Sequence, residues 1–181
     1  MRRLIIVLVS ISAMMAGFYL SARHFAEPVE QTMAPVPLDG NLVGSKRPHF
    51  ELSNNRGEMV SVEEFRDKTI LINFWATWCG PCREEMPMLV DLQSQHAASG
   101  LQVVGIALDN AEVVDNFVNA FGISYPILVG EADVFNVSAA FGNQEGVLPF
   151  SVLIDRKGVI RWQYAGKLKG EDVDRWLSEL L

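Results

Sequence analysis

Apolar residues follow two different periods along this chain, and the change between the periods divides it into strands and helices. Two runs, 69–76 and 101–108, are apolar at nearly every position, which predicts strands that are buried on both faces. Elsewhere apolar residues recur every three or four positions, which is typical of one face of a helix. The pattern predicts strands at 48–52, 69–76, 101–108, 125–130, 149–155 and 159–166, and helices at 80–96, 110–122, 132–142 and 170–181.

Turn and capping residues mark the boundaries between these elements. Residues 53–59 have the composition of a turn, and the "RKG" at 156–158 predicts a hairpin between the last two strands. Ser61, with Glu64 three residues later, matches a capping box and predicts a short helical turn over 61–68. Strands that alternate with helices and end in a hairpin predict an α/β fold, with a central mixed β-sheet flanked by helices on both faces.

The first residues differ from the rest of the chain. A pair of arginines precedes the apolar run 4–20, which is just long enough to span a bilayer. We therefore interpret 1–23 as an uncleaved signal anchor, with a cleaved signal peptide as the alternative. The proline-containing stretch 24–46 predicts a linker, and 47–181 predicts one domain, which lies outside the cytoplasm if 1–23 is an anchor.

Charge narrows the choice of partners. The formal net charge is -7, and the 15 lysines and arginines are scattered and form no basic stripe. Nucleic-acid binding needs clustered basic residues, so we exclude nucleic acid as a partner.

The only two cysteines, Cys79 and Cys82, lie where a buried strand ends and a helix begins. A helix N-terminus stabilises a thiolate, which is the nucleophile in disulfide exchange. Gly80 and Pro81 keep the connection short, and proline is tolerated in the first turn of a helix. The spacing predicts that Cys79 is an exposed attacking thiol and that Cys82, one turn into the helix, is a shielded resolving thiol.

Three other uses of a cysteine pair fit the sequence less well. A structural disulfide across so short a loop restrains little of the unfolded chain. A zinc site needs two further ligands, and the three histidines show no ligand spacing. Attachment of a c-type haem needs a histidine where the chain has Arg83. Redox chemistry that needs no cofactor or metal is therefore the first hypothesis.

The stretches "FWATWCGPC" and "PFSVLID" resemble the thioredoxin fold. Together with the predicted anchor, they make the chain similar to membrane-anchored thiol-disulfide oxidoreductases of the TlpA/ResA type, over about residues 47–181. The resemblance implies an N-terminal β extension and an inserted strand and helix at about 110–140. It also implies that Pro87 lies within the active-site helix.

The resemblance further implies a surface that receives the substrate. Trp78, Gly80 and Pro81 would surround the attacking cysteine, and Pro149 matches the cis-proline that lies beside the disulfide in this family. Leu148, the residue before that proline, would offer its backbone to an extended substrate.

One position departs from ordinary thioredoxins. A buried aspartate that helps to move protons there is replaced here by Asn73, which does not titrate. By the resemblance, Glu85 is the candidate to replace it, three residues after Cys82 and on the same helical face. The alternative is that Glu85 is a solvated helix residue.

We therefore expect an enzyme that reduces disulfides of protein substrates, for example in cytochrome c maturation, with electrons from a membrane or periplasmic thiol donor. Oxidation of substrate thiols would use the same residues. A thiol peroxidase is a weaker alternative. The positions where its motif has threonine and proline are occupied here by Ala76 and Ile72. A binding module that holds Cu(I) on the two thiolates stays open.

Overall fold

Seven strands and four α-helices alternate along residues 40–181, which are the residues that the computed structural model describes. The strands are β1 (Glu51–Asn54), β2 (Met59–Ser61), β3 (Thr69–Trp75), β4 (Leu101–Leu108), β5 (Ile127–Gly130), β6 (Phe150–Ile154) and β7 (Ile160–Ala165). The α-helices are α1 (Gly80–His96), α2 (Ala111–Phe121), α3 (Ala132–Ala140) and α4 (Gly170–Leu177). Two short 3-10 turns span Val62–Phe65 and Ala97–Ser99.

The strands form one mixed sheet in the order β2-β1-β5-β4-β3-β6-β7. Strand β3 pairs in parallel with β4 and antiparallel with β6, so it lies inside the sheet with a partner along each side. All seven of its residues are buried, as the unbroken apolar pattern of 69–76 predicted. The sheet therefore carries the strand that leads to the cysteines near its centre.

The two faces of the sheet form separate apolar layers. Helices α1, α2 and α4 contribute to the layer that contains both cysteines, and α3 contributes to the opposite layer. Alternate residues of β3 divide between the layers, with Leu71 and Trp75 on the cysteine side and Ile72 and Phe74 on the other. This arrangement confirms the predicted α/β fold with helices on both faces of a mixed sheet.

The amino-terminal strands differ from the prediction. Strand β1 spans Glu51–Asn54 and not 48–52, and the predicted turn 53–59 is the connection of a hairpin whose second strand, β2, the pattern did not indicate. The edge strand β2 has three residues, too few to display a period of two. The other strands and the α-helices lie within their predicted ranges, and the capping box of Ser61 is present.

The domain begins slightly earlier than predicted. Residues 42–46, assigned above to the linker, hydrogen-bond to the β7 region, where Gly44 N–H donates to Ile160 O and Leu42 N–H donates to Gln163 Oε1. Within 40–181, no helix is long and apolar enough to cross a membrane. The predicted anchor, 1–23, and most of the predicted linker lie outside the described residues.

Candidate active site

The two cysteines lie at the junction between β3 and α1. Cys79 is the N-cap of α1, and its Sγ accepts a hydrogen bond from the Cys82 N–H at 3.3 Å. The two residues form a disulfide, with their Cα atoms 5.3 Å apart. Pro81 occupies the first turn of the helix, where its missing N–H costs no hydrogen bond. The local sequence thus places both sulfurs at the positive end of the α1 dipole.

The two sulfur-bearing residues differ in accessibility. Cys79 is 6% exposed, and Cys82 is fully buried. The order agrees with the prediction, but Cys79 is buried and not exposed as predicted. Cys79 packs in the same apolar layer as Trp75 and Ala76, so only a small part of it faces solvent. A substrate can therefore reach Cys79 and has no direct path to Cys82.

The loop before Cys79 is tied to the neighbouring strand. Thr77 donates a hydrogen bond from its hydroxyl to Asp109 Oδ2, just beyond the end of β4. The other carboxylate oxygen of Asp109 accepts the N–H of Asn110, which caps α2. Sequence reasoning missed Asp109, because its link to Thr77 depends on the parallel pairing of β3 with β4.

Leu148 and Pro149 precede the strand that pairs with β3. The peptide bond between them is cis, as the resemblance implied. Phe150, which follows, pairs with Phe74 in the antiparallel register, so Leu148 and Pro149 run beside the segment that leads from β3 to the cysteines. Leu148 is half-buried and packs against the layer that contains both cysteines.

The predicted substrate surface is open. Trp78 is 68% exposed, a large fraction for an indole, and Gly80 and Pro81 are exposed as well. A Cβ added at Gly80 would meet no heavy atom within 4 Å, so the backbone beside Cys79 is clear for an approaching chain. Pro87 lies inside α1, where the resemblance placed it.

Glu85 is buried and is not a solvated helix residue. It is 1% exposed, and both oxygens of its carboxylate accept hydrogen bonds. Asn73 donates from Nδ2 to Oε1 at 2.7 Å, and the Leu168 backbone N–H donates to Oε2 at 2.7 Å. Asn73 also donates from Nδ2 to Ser151 Oγ on β6. Asn73 stands where thioredoxins have an aspartate. It therefore donates a hydrogen bond to Glu85, the residue predicted to replace that aspartate.

Burial raises the pKa of Glu85 to about 7, because a charged carboxylate loses its hydration in the apolar layer. The hydrogen bonds from Leu168 and Asn73 and the positive charge of Lys167 act in the opposite direction and lower this pKa. The result is a carboxyl group that exchanges its proton near neutral pH. The neighbouring Glu84 is exposed and pairs with Lys167, so the two adjacent glutamates have different environments.

Tyr125 is a further buried polar group on this side of the sheet. Burial, with a smaller contribution from the Glu85 charge, raises the pKa of Tyr125. Its hydroxyl, like Trp75 Nε1, has no hydrogen-bond partner among the described residues. Neither Tyr125 nor Leu168 could be predicted as part of this site, because they lie far from Glu85 along the chain and only the fold brings them close to it.

Among residues 40–181, no three histidine, cysteine, aspartate or glutamate side chains are grouped as a metal site would require.

Comparison with known proteins gives consistent results. The family model described as Redoxin matches residues 42–178. The thiol-disulfide oxidoreductase ResA of Bacillus thuringiensis is 27% identical over 98% of this chain and 94% of its own length. The thioredoxin-like protein YneN of Bacillus subtilis is 33% identical over 75% of this chain and 78% of its own.

A solved structure supports the same conclusion about the fold. A thiol:disulfide interchange protein of the thioredoxin family from Chlorobium tepidum superposes with a TM-score of 0.67 and 28% identity. The match covers 78% of this chain and 98% of that one. The similarity therefore extends over most of the residues that the structure describes.

Proposed function

The chain belongs to the Redoxin family and is a thioredoxin-like thiol-disulfide oxidoreductase of the TlpA/ResA type, and we propose that it reduces disulfides in protein substrates outside the cytoplasm. The family membership confirms the resemblance drawn from the sequence. The observation that carries the proposed mechanism is the unequal pair: Cys79 keeps a small accessible surface at the helix tip, and Cys82 is shielded behind it. The proposed direction, reduction, rests on the Gly80-Pro81 pair between the cysteines, as in reducing thioredoxins.

Reduction proceeds in two exchanges in this proposal. The Cys79 thiolate attacks one sulfur of the substrate disulfide, a bond forms between them, and the displaced substrate thiolate takes up a proton. The Cys82 thiolate then attacks Cys79 Sγ, which re-forms the internal disulfide and releases the second substrate thiol. Two electrons pass to the substrate. An external thiol donor in the membrane or periplasm then supplies two electrons that reduce the Cys79–Cys82 disulfide again. No other cofactor is needed.

Glu85 serves as the general base for Cys82 in this mechanism. Both side chains are buried and lie three residues apart on α1, hence on one face of the helix. A carboxyl group with a pKa of about 7 is ionised often enough to accept the Cys82 proton and protonated often enough to return it. Asn73 and Leu168 fix the direction of the carboxylate, so the base is oriented before the substrate arrives.

The substrate lies across the exposed end of the junction. Trp78, Gly80 and Pro81 provide an open surface on one side of Cys79, and Leu148 with Pro149 provides the backbone on the other. In this proposal, an extended segment that contains the substrate disulfide lies between the two sides, over the exposed Trp78 and beside the Leu148 backbone. Apocytochrome c before haem attachment is a substrate of the expected kind.

The first experiment measures the reduction potential of the Cys79–Cys82 pair and traps its intermediate. We expect a potential at or below about -200 mV, and a value near -120 mV would mean that the protein is an oxidant. In Cys82→Ser, the mixed disulfide with a substrate should accumulate, because no resolving thiol remains. Cys79→Ser is the matched control and should form none. If neither variant captures a substrate and the pair does not cycle, the proposed function is wrong.

A further inference from the structure

The outer face of α2 carries an apolar stripe beside the disulfide. Val113, Phe117 and Phe121 are spaced by four residues and share one face of the helix. Val113 is 42% exposed and Phe121 is 45% exposed. The rings of Phe117 and Phe121 stack with centroids 4.1 Å apart, and Phe117 lies 5.3 Å from Trp75 in the layer that contains the cysteines. The stripe therefore runs from the core beneath the disulfide to the solvent.

A single cation lies over this stripe. The Arg83 guanidinium is 5.8 Å from the centroid of Phe117 and 5.7 Å from that of Phe121. The Arg83 N–H donates to Cys79 O at 3.2 Å, so the side chain begins one helical turn from the attacking cysteine. The aromatic rings thus hold a positive charge near the place where a substrate is bound.

Arg83 has no carboxylate partner within ion-pair distance among residues 40–181. Two acidic groups on the same two helices, Glu84 and Asp115, already have polar partners. Glu84 pairs with Lys167, and Asp115 on α2 accepts hydrogen bonds from Asn55 and Asn119. The Arg83 charge is therefore available to an incoming group, although the chain as a whole carries a net charge of -7.

We propose that Arg83, Val113, Phe117 and Phe121 form a recognition surface for a substrate segment with an acidic and an apolar side chain close to its reactive cysteine. This inference rests on the proposed function and adds a substrate class to it. Charge complementarity selects the acidic residue, and the exposed rings cover the apolar one. Contacts made here add to those at Trp78 and Leu148, which recognise the backbone without regard to its sequence.

The test compares peptides within each protein variant. Two peptides share one internal disulfide and differ only in the residues beside it, Glu-Leu in one and Lys-Leu in the other. The full-length reduced protein should reduce the acidic peptide about two- to five-fold faster, the range expected for an exposed ion pair. Both peptides react with the same Cys79 thiolate. A change in the reactivity of this thiolate therefore alters both rates equally and leaves their ratio unchanged.

Charge reversal gives the sharpest outcome. Arg83→Glu should reverse the preference, and Arg83→Gln should abolish it. Arg66→Glu, which changes the net charge equally but precedes β3 at the opposite end of that strand, should keep the wild-type order. In the wild type the ratio should fall towards one as salt is added. A third peptide has Glu-Ser beside its disulfide. The wild type should reduce it more slowly than the Glu-Leu peptide, and Phe121→Ser should reduce the two at equal rates.

Two results would overturn the inference. Equal reduction of both peptides by the wild type would leave the proposed function intact and remove the acidic specificity. A change of sedimentation mass in Arg83→Glu or Phe121→Ser, with an unchanged ratio of rates, would make this face a contact between copies of the chain. Failure to reduce any peptide would instead contradict the proposed function itself.

Discussion

The buried environment of Glu85 raises its pKa, and this affects both the proposed reaction and the stability of the fold. Its carboxyl group has a pKa of about 7 in the fold, against 4.5 in an unstructured chain, because it is buried in the apolar layer. Between these two values the folded protein binds a proton that the unfolded chain has lost. The stabilisation of the protonated form is therefore complete below pH 4.5 and is lost as the pH rises through 7.

We expect the free energy of unfolding of the wild type to fall, relative to Glu85→Gln, by about 3 kcal/mol between pH 4.5 and pH 8. Urea denaturation of the oxidised proteins at steps of half a pH unit measures the difference. The matched control is Glu84→Gln, whose side chain is exposed beside Lys167 and should give a difference from wild type that changes little over this range. Parallel curves for wild type and Glu85→Gln would contradict the buried position of the carboxyl group.

The residues of the site could be predicted to different degrees. Cys79 and Cys82 were found because their spacing at the start of a helix is a local property of the sequence. Glu85 was found through the family resemblance, and its spacing from Cys82 placed it on the same helical face. The choice between a buried and a solvated Glu85 could not be made, because burial depends on Leu168, 83 residues away. The role of Arg83 in binding the rings of α2 was also invisible, since the sequence does not show which helices pack together.

At the scale of elements, the β6–β7 hairpin keeps β6 aligned with β3. Asp155 organises its turn, since Oδ1 accepts the N–H groups of Lys157 and Val159, and Oδ2 accepts Arg161 Nε at 2.8 Å. Partial burial acts to raise the pKa of Asp155, but these hydrogen bonds and the Arg161 charge hold it below its usual value. The turn therefore fixes the strand that begins after Pro149.

Replacing Asp155 by alanine should lower the free energy of unfolding by about 2 kcal/mol, because several hydrogen bonds to one carboxylate are lost together. Asp155→Asn keeps an acceptor for the two backbone N–H groups and should lose about half as much. Urea denaturation at pH 7 compares them. Equal stability of all three proteins would mean that the turn forms without this side chain.

Elements were predicted best where their patterns were long. Helix α1 and strand β4 have the predicted bounds: β4 is apolar along nearly all of its 8 residues, and the 17 residues of α1 begin directly after Cys79, its N-cap. Strand β2 was missed, since three residues at the edge of the sheet are held by pairing with β1 and by no pattern of their own. The family resemblance supplied the cis bond before Pro149, which local sequence does not determine.

For the whole molecule, the predicted anchor and the described domain have separate tasks. The similarity to ResA of Bacillus thuringiensis covers 98% of the chain, so it includes most of the amino-terminal residues. In our proposal, residues 1–23 hold the protein in the membrane, and the thioredoxin-like domain carries the chemistry. Within 40–181, apolar layers pack against both faces of the sheet.

The full chain should sediment with membranes and resist extraction at alkaline pH, whereas a chain that begins at Gly40 should stay in the soluble fraction. Both should reduce the same soluble peptide disulfide at similar rates, because the cysteine layer is unchanged. Mass spectrometry of the full-length protein checks that the amino-terminal segment is retained. Loss of that segment, with release of the protein, would favour a cleaved signal peptide.

The central place of β3 has a mechanical consequence. While a substrate is bound covalently to Cys79, any pull that the substrate exerts passes along β3, from its carboxyl end. Strand β3 is paired over Thr69–Trp75 with β4 on one side and over Ile70–Phe74 with β6 on the other. A force in this direction shears two ladders of hydrogen bonds at once and cannot open them one by one. In the proposed mixed disulfide, a pull directed along β3 is therefore resisted by both ladders together.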